Sequence, residues 1–165
     1  MEFTNEQVMP APLERVEKMY WDLAFVPRKY RELGLQDVEV VSQKNEGREL
    51  QVCCNFKMKP SIELPKIAQK FVRGGEALAV TQTDTWDMQT RTGRLDIVIH
   101  VFKTVTIRCD MKLEAHPQGA VNRMRWKIES SMPLIGGTIA KILAQDIQSK
   151  FKDDAAAANR ILKDY

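Results

Sequence analysis

The chain has 165 residues, 44% hydrophobic and 28% charged, with a formal net charge of +3. That suits one globular domain with a sizeable core and excludes a low-complexity or disordered chain. No apolar run reaches the roughly 18 residues of a membrane-spanning helix, and so small a net charge argues against a dedicated nucleic-acid surface.

Cys53, Cys54 and Cys109 form an odd set without framework spacing, so reduced thiols and a cytoplasmic location are expected. The opening residues M-E-F-T-N-E-Q-V carry neither a basic stretch nor an apolar one, and no secretory leader is expected there. No internal repeat or linker-like tract interrupts the chain.

In chain order, residues 2–9 read as a short strand. Pro12 is well placed to open a helix, and Leu13, Val16, Met19, Tyr20 and Leu23 recur at helical spacing. Pro27 is expected to interrupt, with a second short helix through Tyr30 to Leu33, stopped by Gly34.

Strands follow. Residues 36–44 lead into N-E-G-R, a hairpin turn. Leu50, Val52, Cys54, Phe56 and Met58 then alternate with polar or outward residues. Residues 77–88 form the next strand. Leu95, Ile97, Ile99 and Val101 alternate in another, with His100 and Phe102 on its opposite face. Ile107, Cys109, Met111 and Leu113 precede an H-P-Q-G turn, and Met124, Trp126 and Ile128 follow it. A two-residue turn at Gln118-Gly119 would pair Glu114 with Arg123, Asp110 with Lys127 and Arg108 with Glu129. The stripe Arg123, Arg125, Lys127 then reads as a wet, ion-paired face, and no nucleic acid is expected on it.

Last comes a long helix. Ile139, Leu143, Ile147, Phe151 and Ala158 share one face, opposite Lys141, Gln145, Gln148 and Lys152. Asp146, Lys150 and Asp154 can bridge along its flank or, lying toward the apolar face, line the mouth of a pocket. Period-two alternation sustained over several strands means one buried face and one wet face. One amphipathic helix cannot cover so wide a sheet if it is flat. The expected fold is therefore α+β: a seven-stranded, curved antiparallel sheet around the C-terminal helix, with two short helices after the first strand. Residues 1–165 form a single domain, and a monomer is the simplest state.

This order of elements resembles the START-like, or helix-grip, superfamily (SRPBCC type), which includes the birch-pollen-allergen fold. Within it, K-I-A-Q-K-F-V-R-G-G at 66–75, V-T-Q-T-D-T-W at 80–86 and P-L-I-G-G-T-I-A-K at 133–141 are similar to an uncharacterised bacterial domain-of-unknown-function family. The resemblance implies binding or transport of a hydrophobic small molecule, lipid, quinone or polyketide-like. Cyclase or dehydratase chemistry in the same cavity is an alternative it allows, and an interaction module with a filled core is a third reading.

The expected cavity lies between sheet and helix. Its apolar wall would come from Val52, Cys54, Phe56, Trp86, Ile97, Ile99, Cys109, Met111, Trp126, Ile139 and Leu143. Gln82 and Asp84 share a strand face with Leu78 and Trp86, and buried polar groups need partners. Either they orient a ligand, or Gln82 bonds a neighbouring backbone and Asp84 sits at the rim. Gly136 opens three possibilities: close packing of the helix on the sheet, a loop before an N-cap at Thr138, or contact with a ligand head group. Segment 57–75, with Lys66, Lys70 and Arg73 beside Ile67, Phe71 and Val72, reads as a basic amphipathic cover. It could touch an anionic membrane transiently, or pack on the barrel end with solvated lysines. His100 and His116 form no nucleophile–base pair and no metal spacing occurs, so no catalytic residue, metal or cofactor is expected. An enzyme using Asp84 as acid or base remains the alternative.

Overall fold

The structure, a computed structural model, describes residues 1–72 and 75–165. The elements run β1 (Glu2–Met9), α1 (Leu13–Tyr20), α2 (Phe25–Glu32), β2 (Gln36–Glu46), β3 (Glu49–Met58), α3 (Lys66–Gln69), β4 (Leu78–Asp87), β5 (Thr92–Ile99), β6 (Val105–His116), β7 (Gly119–Ser130) and α4 (Gly136–Leu162). The seven strands form one antiparallel sheet in the order β1-β7-β6-β5-β4-β3-β2. This is a meander whose first strand returns beside the last.

Alternation decides which face is wet. In β6, Val105, Ile107, Cys109, Met111 and Leu113 are buried, while Thr106, Arg108 and Asp110 are exposed. Burying that apolar set stabilises the sheet by about 25 cal/mol per Å² removed from water. The outer face is tied by ion pairs, Arg94–Asp110, Arg108–Asp96 and Arg123–Glu114 among them.

The hairpin between β6 and β7 differs from its expected register by two residues. His116 pairs with Gly119, so the turn is Pro117-Gln118. Asp110 therefore faces Arg125, Arg108 faces Lys127, and Glu114 faces Val121. The Arg123–Glu114 bridge survives as a diagonal contact at 2.8 Å. Proline at the first turn position explains the shift, because its fixed φ suits a tight turn and its missing N–H suits no strand.

Pro27 does not interrupt. It is the third residue of α2, where no intrahelical N–H bond is lost, and Phe25, Val26, Pro27 and Tyr30 are all buried. Phe102 departs from its expected outward face: β5 ends at Ile99, and the chain turns Phe102 into the core at 4% exposure. His100 stays outside, against Thr81.

α4 closes the concave side of the sheet. Its buried residues fall in two groups, Gly136 to Ala144 and Ala157 to Leu162. Between them Ile147 and Phe151 are only half-buried. The helix thus grips the sheet at both ends and bridges a gap in the middle. Gly136 begins the helix, and a Cβ there would lie 2.8 Å from the Ser130 carbonyl oxygen, whereas Gly137 has open space around it. Close packing therefore accounts for Gly136, and the alternative start at Thr138 is ruled out. Gly137 is not required by packing.

Candidate functional site

The gap under α4 is a cavity of about 540 Å³. Its sheet wall includes Phe56, Val80, Trp86, Leu95, Ile97, Ile99, Met111, Met124 and Trp126, and its helix wall includes Ile139, Leu143, Ile147 and Phe151. Of the residues expected there, Phe56, Gln82, Asp84, Trp86, Ile97, Ile99, Met111, Trp126, Ile139 and Leu143 line it. Val52, Cys54, Cys109 and Gly136 are buried but do not. The first three are small side chains on a pleat whose height is set by Phe56, Trp86, Met111 and Trp126. Gly136 is occupied by its contact with Ser130. Burial pushes the Cys54 thiol up to about 11, and Cys109 rises too, so both stay protonated core groups.

Strand register sets the layout. Val52, Asp84, Leu95, Cys109, Trp126 and Phe3 pair successively across the sheet, forming one transverse inward row. Asp84 is the charged member of that row and is 6% exposed. One inward position further along β4, Trp86 pairs with Gly93, whose missing side chain makes room for the indole. Tyr20 packs tilted against Trp86 and Trp21 meets it edge-on, with ring centroids 5.1 and 5.4 Å away.

Asp84 does not sit at the rim. Its Oδ2 accepts a hydrogen bond from the Tyr30 hydroxyl at 3.1 Å and a longer one from Gln82 Nε2 at 3.4 Å. Burial raises the Asp84 carboxyl to about 6, even though the Lys29 charge and the bonds from Tyr30 and Gln82 pull the other way. Beside it, Lys29 bonds Asp154 of α4 at 3.0 Å. Burial works against the Lys29 charge, but Asp154, Tyr20 and Asp84 outweigh it and raise its pKa. Tyr20 is pushed up to about 12, chiefly by burial, and its hydroxyl accepts from Asn122 Nδ2 at 3.3 Å. The result is a cavity that is mainly apolar along the sheet, with one polar cluster where Gln82 and Asp84 of β4 and Asn122 of β7 meet α1, α2 and α4.

Sequence reasoning found Gln82 and Asp84 in this cluster, offered Asp154 as a residue of the pocket mouth, and missed Lys29, Tyr30, Tyr20 and Asn122. For Tyr30 a signal existed: a tyrosine on the apolar face of a short helix needs a partner for its hydroxyl. For Lys29 there was none, because its partner is 125 residues away. Of the two bridges expected along the flank of α4, Lys150–Asp146 forms at 2.6 Å, whereas Asp154 pairs with Lys29 instead of Lys150.

Segment 59–72 covers one end of the cavity. Lys59, Pro60, Ser61, Leu64 and Ala68 line it. The cover is tied to α4: Asp146 Oδ1 accepts from the Ser61 amide at 2.6 Å, and Lys150 donates to the Lys59 carbonyl at 3.0 Å. Ala68 and Val72 face inward, while Lys66 and Lys70 are exposed and Ile67 is 38% exposed. Phe71 is half-buried, meeting Phe102 edge-on. Arg73, part of the expected basic face, lies outside the described residues.

Among the described residues there is no group of three or more His, Cys, Asp or Glu side chains placed to hold a metal ion. No described helix is long and apolar enough to cross a membrane.

A curved seven-stranded sheet gripping a long C-terminal helix over a cavity is the START-like, helix-grip fold. The chain belongs to the family described as "Protein of unknown function (DUF2505)", which matches residues 4–162. Solved structures agree on the fold. TTHA0849 from Thermus thermophilus superposes with a TM-score of 0.64 at 17% identity, covering 98% of this chain and 97% of that one. Ara h 8.0201 gives 0.63 at 16% identity, covering 100% and 99%. The Zhui aromatase/cyclase from Streptomyces sp. R1128 gives 0.61 at 12% identity, covering 99% and 92%. No curated protein matches the chain by sequence.

Proposed function

We propose that the protein binds and carries a hydrophobic small molecule, lipid, quinone or polyketide-like, in the cavity beneath α4. The observation that carries this reading is the combination of about 540 Å³ of space between sheet and helix, a mainly apolar wall and one localised polar cluster. Binding sites for small apolar ligands have this composition, with few polar groups fixing orientation. The tethered cover over one end supplies a route in and out. Its exposed Lys66 and Lys70 beside Ile67 suit brief contact with an anionic membrane during transfer, the protein otherwise working in the cytoplasm.

Native mass spectrometry before and after organic extraction tests this reading. The expected result is a discrete extra mass of a few hundred daltons that extraction removes. A single bare mass, together with failure to bind a panel of lipids and quinones, would overturn it.

A second reading, cyclase- or dehydratase-type chemistry, is favoured by one feature. Asp84 titrates at about 6 beside the Tyr30 hydroxyl, a range suited to proton transfer near neutral pH. Likeness to an aromatase/cyclase in fold is consistent with it. Full turnover by Asp84→Asn of any substrate found would remove Asp84 from that role.

A further inference from the structure

The polar cluster leaves one hydrogen-bonding position unused. The two protein donors at Asp84, Tyr30 and Gln82, both bond Oδ2. Among the described residues nothing bonds Oδ1. That oxygen is also not sealed away. Trp126 Nε1 and Asn122 Oδ1 lie on the same cavity wall and are enclosed without partners, but Asp84 Oδ1 is not among such enclosed atoms.

The nearby cation is already committed. Lys29 holds Asp154 through both carboxylate oxygens, at 3.0 and 3.1 Å, and lies over the rings of Phe25 and Tyr30 at 5.6 and 5.9 Å. Lys29 and Asp154 balance one another, so an ionised Asp84 adds a negative charge without a cation in contact. A buried carboxylate in that state accepts a donor from whatever shares the cavity. The other titratable groups facing it are Tyr30 on α2, Tyr20 on α1, Cys54 on β3, Cys109 on β6 and Asp154 on α4. None of these is an uncommitted cation.

Resting on the ligand-binding reading above, we propose that the ligand bears a hydrogen-bond-donating head group, hydroxyl or protonated amine, that docks on Asp84 Oδ1 with its apolar body along the sheet wall. A ligand whose only polar group is an acceptor leaves that oxygen unpaired and is discriminated against.

The test uses four matched probes on the full chain at pH 7.5: naphthalene, 2-naphthol, 2-naphthylmethylamine and 2-methoxynaphthalene. Binding is followed by calorimetry and by amide NMR shifts. The methoxy compound is more apolar than the naphthol, so hydrophobicity alone ranks it tighter. The expected result is the reverse, with 2-naphthol or the amine bound about fivefold or more tighter than 2-methoxynaphthalene. Which of the two binds better identifies a neutral or a cationic head group. Asp84→Leu should abolish the preference while still binding naphthalene. If that variant does not fold, acidification of the wild-type chain to pH 5 serves instead, because a protonated Asp84 donates and the preference should shrink. Binding of all probes ranked by hydrophobicity alone would overturn this inference and leave the cavity reading standing. Binding of no probe would overturn both.

Discussion

The two walls of the cavity are built by different rules. The sheet wall, Phe56, Trp86, Ile97, Met111 and Trp126, is apolar because strand alternation sends every second side chain inward. The corner where Asp84 of that sheet meets Lys29, Tyr30 and Asp154 is polar because three elements far apart in the chain converge there. The sheet wall gives the site its volume and most of its binding surface, with no directional chemistry. The corner gives direction at a cost in stability, because a carboxyl is held in apolar surroundings. A sheet wall alone would make a non-selective grease pocket. The corner alone would hold no apolar body.

Breaking the sheet wall should have the largest effect. Trp86 is 2% exposed and packs against Tyr20 and the edge-on Trp21, over Gly93. Trp86→Ala is expected to cost about 3–5 kcal/mol, read from urea unfolding midpoints. A loss below about 1 kcal/mol would mean the indole is not part of the packed wall.

The corner should show itself through pH. The Asp84 carboxyl rises from 3.8 to about 6 on folding, so the folded state holds the proton more tightly than the unfolded chain. Stability from this group is therefore fully present below about pH 4 and is lost as pH rises through about 6. About two pKa units correspond to about 3 kcal/mol. Asp84→Asn should be more stable than wild type by up to about that amount at pH 8, with the difference fading towards pH 4. Parallel denaturation curves, with a gap that does not change with pH, would contradict the burial of a titrating carboxyl here.

The smallest expected effect separates the two glycines of α4. Gly137→Ala meets open space in the first helical turn and should stabilise by up to about 1 kcal/mol. Gly136→Ala drives a methyl group against the Ser130 carbonyl and should destabilise by about 1–3 kcal/mol. Thermal unfolding of both variants checks the sign. Equal shifts would mean that the helix does not approach β7 so closely.

Legibility followed the range of the interactions. Alternation in β3, β4, β6 and β7 and the apolar stripe of α4 are local patterns, and they were enough to imply a curved sheet around one helix. They also placed Phe56, Trp86, Met111, Trp126 and Leu143 on the cavity side. The register of the β6–β7 hairpin was off by two residues because two turns were compatible with the pattern, and the position of Pro117 selected between them. Phe102 was misplaced because alternation was carried past the end of a strand.

By itself the sequence determined which faces are apolar and in what order the elements come, since side-chain period depends only on backbone geometry. Tertiary structure alone decided that Lys29 would meet Asp154, that Tyr30 would meet Asp84, and that the middle of α4 would span open space. Those contacts join residues that no local period relates. They exist because curvature of the sheet brings α2 and α4 together over β4, and curvature is a property of all seven strands at once.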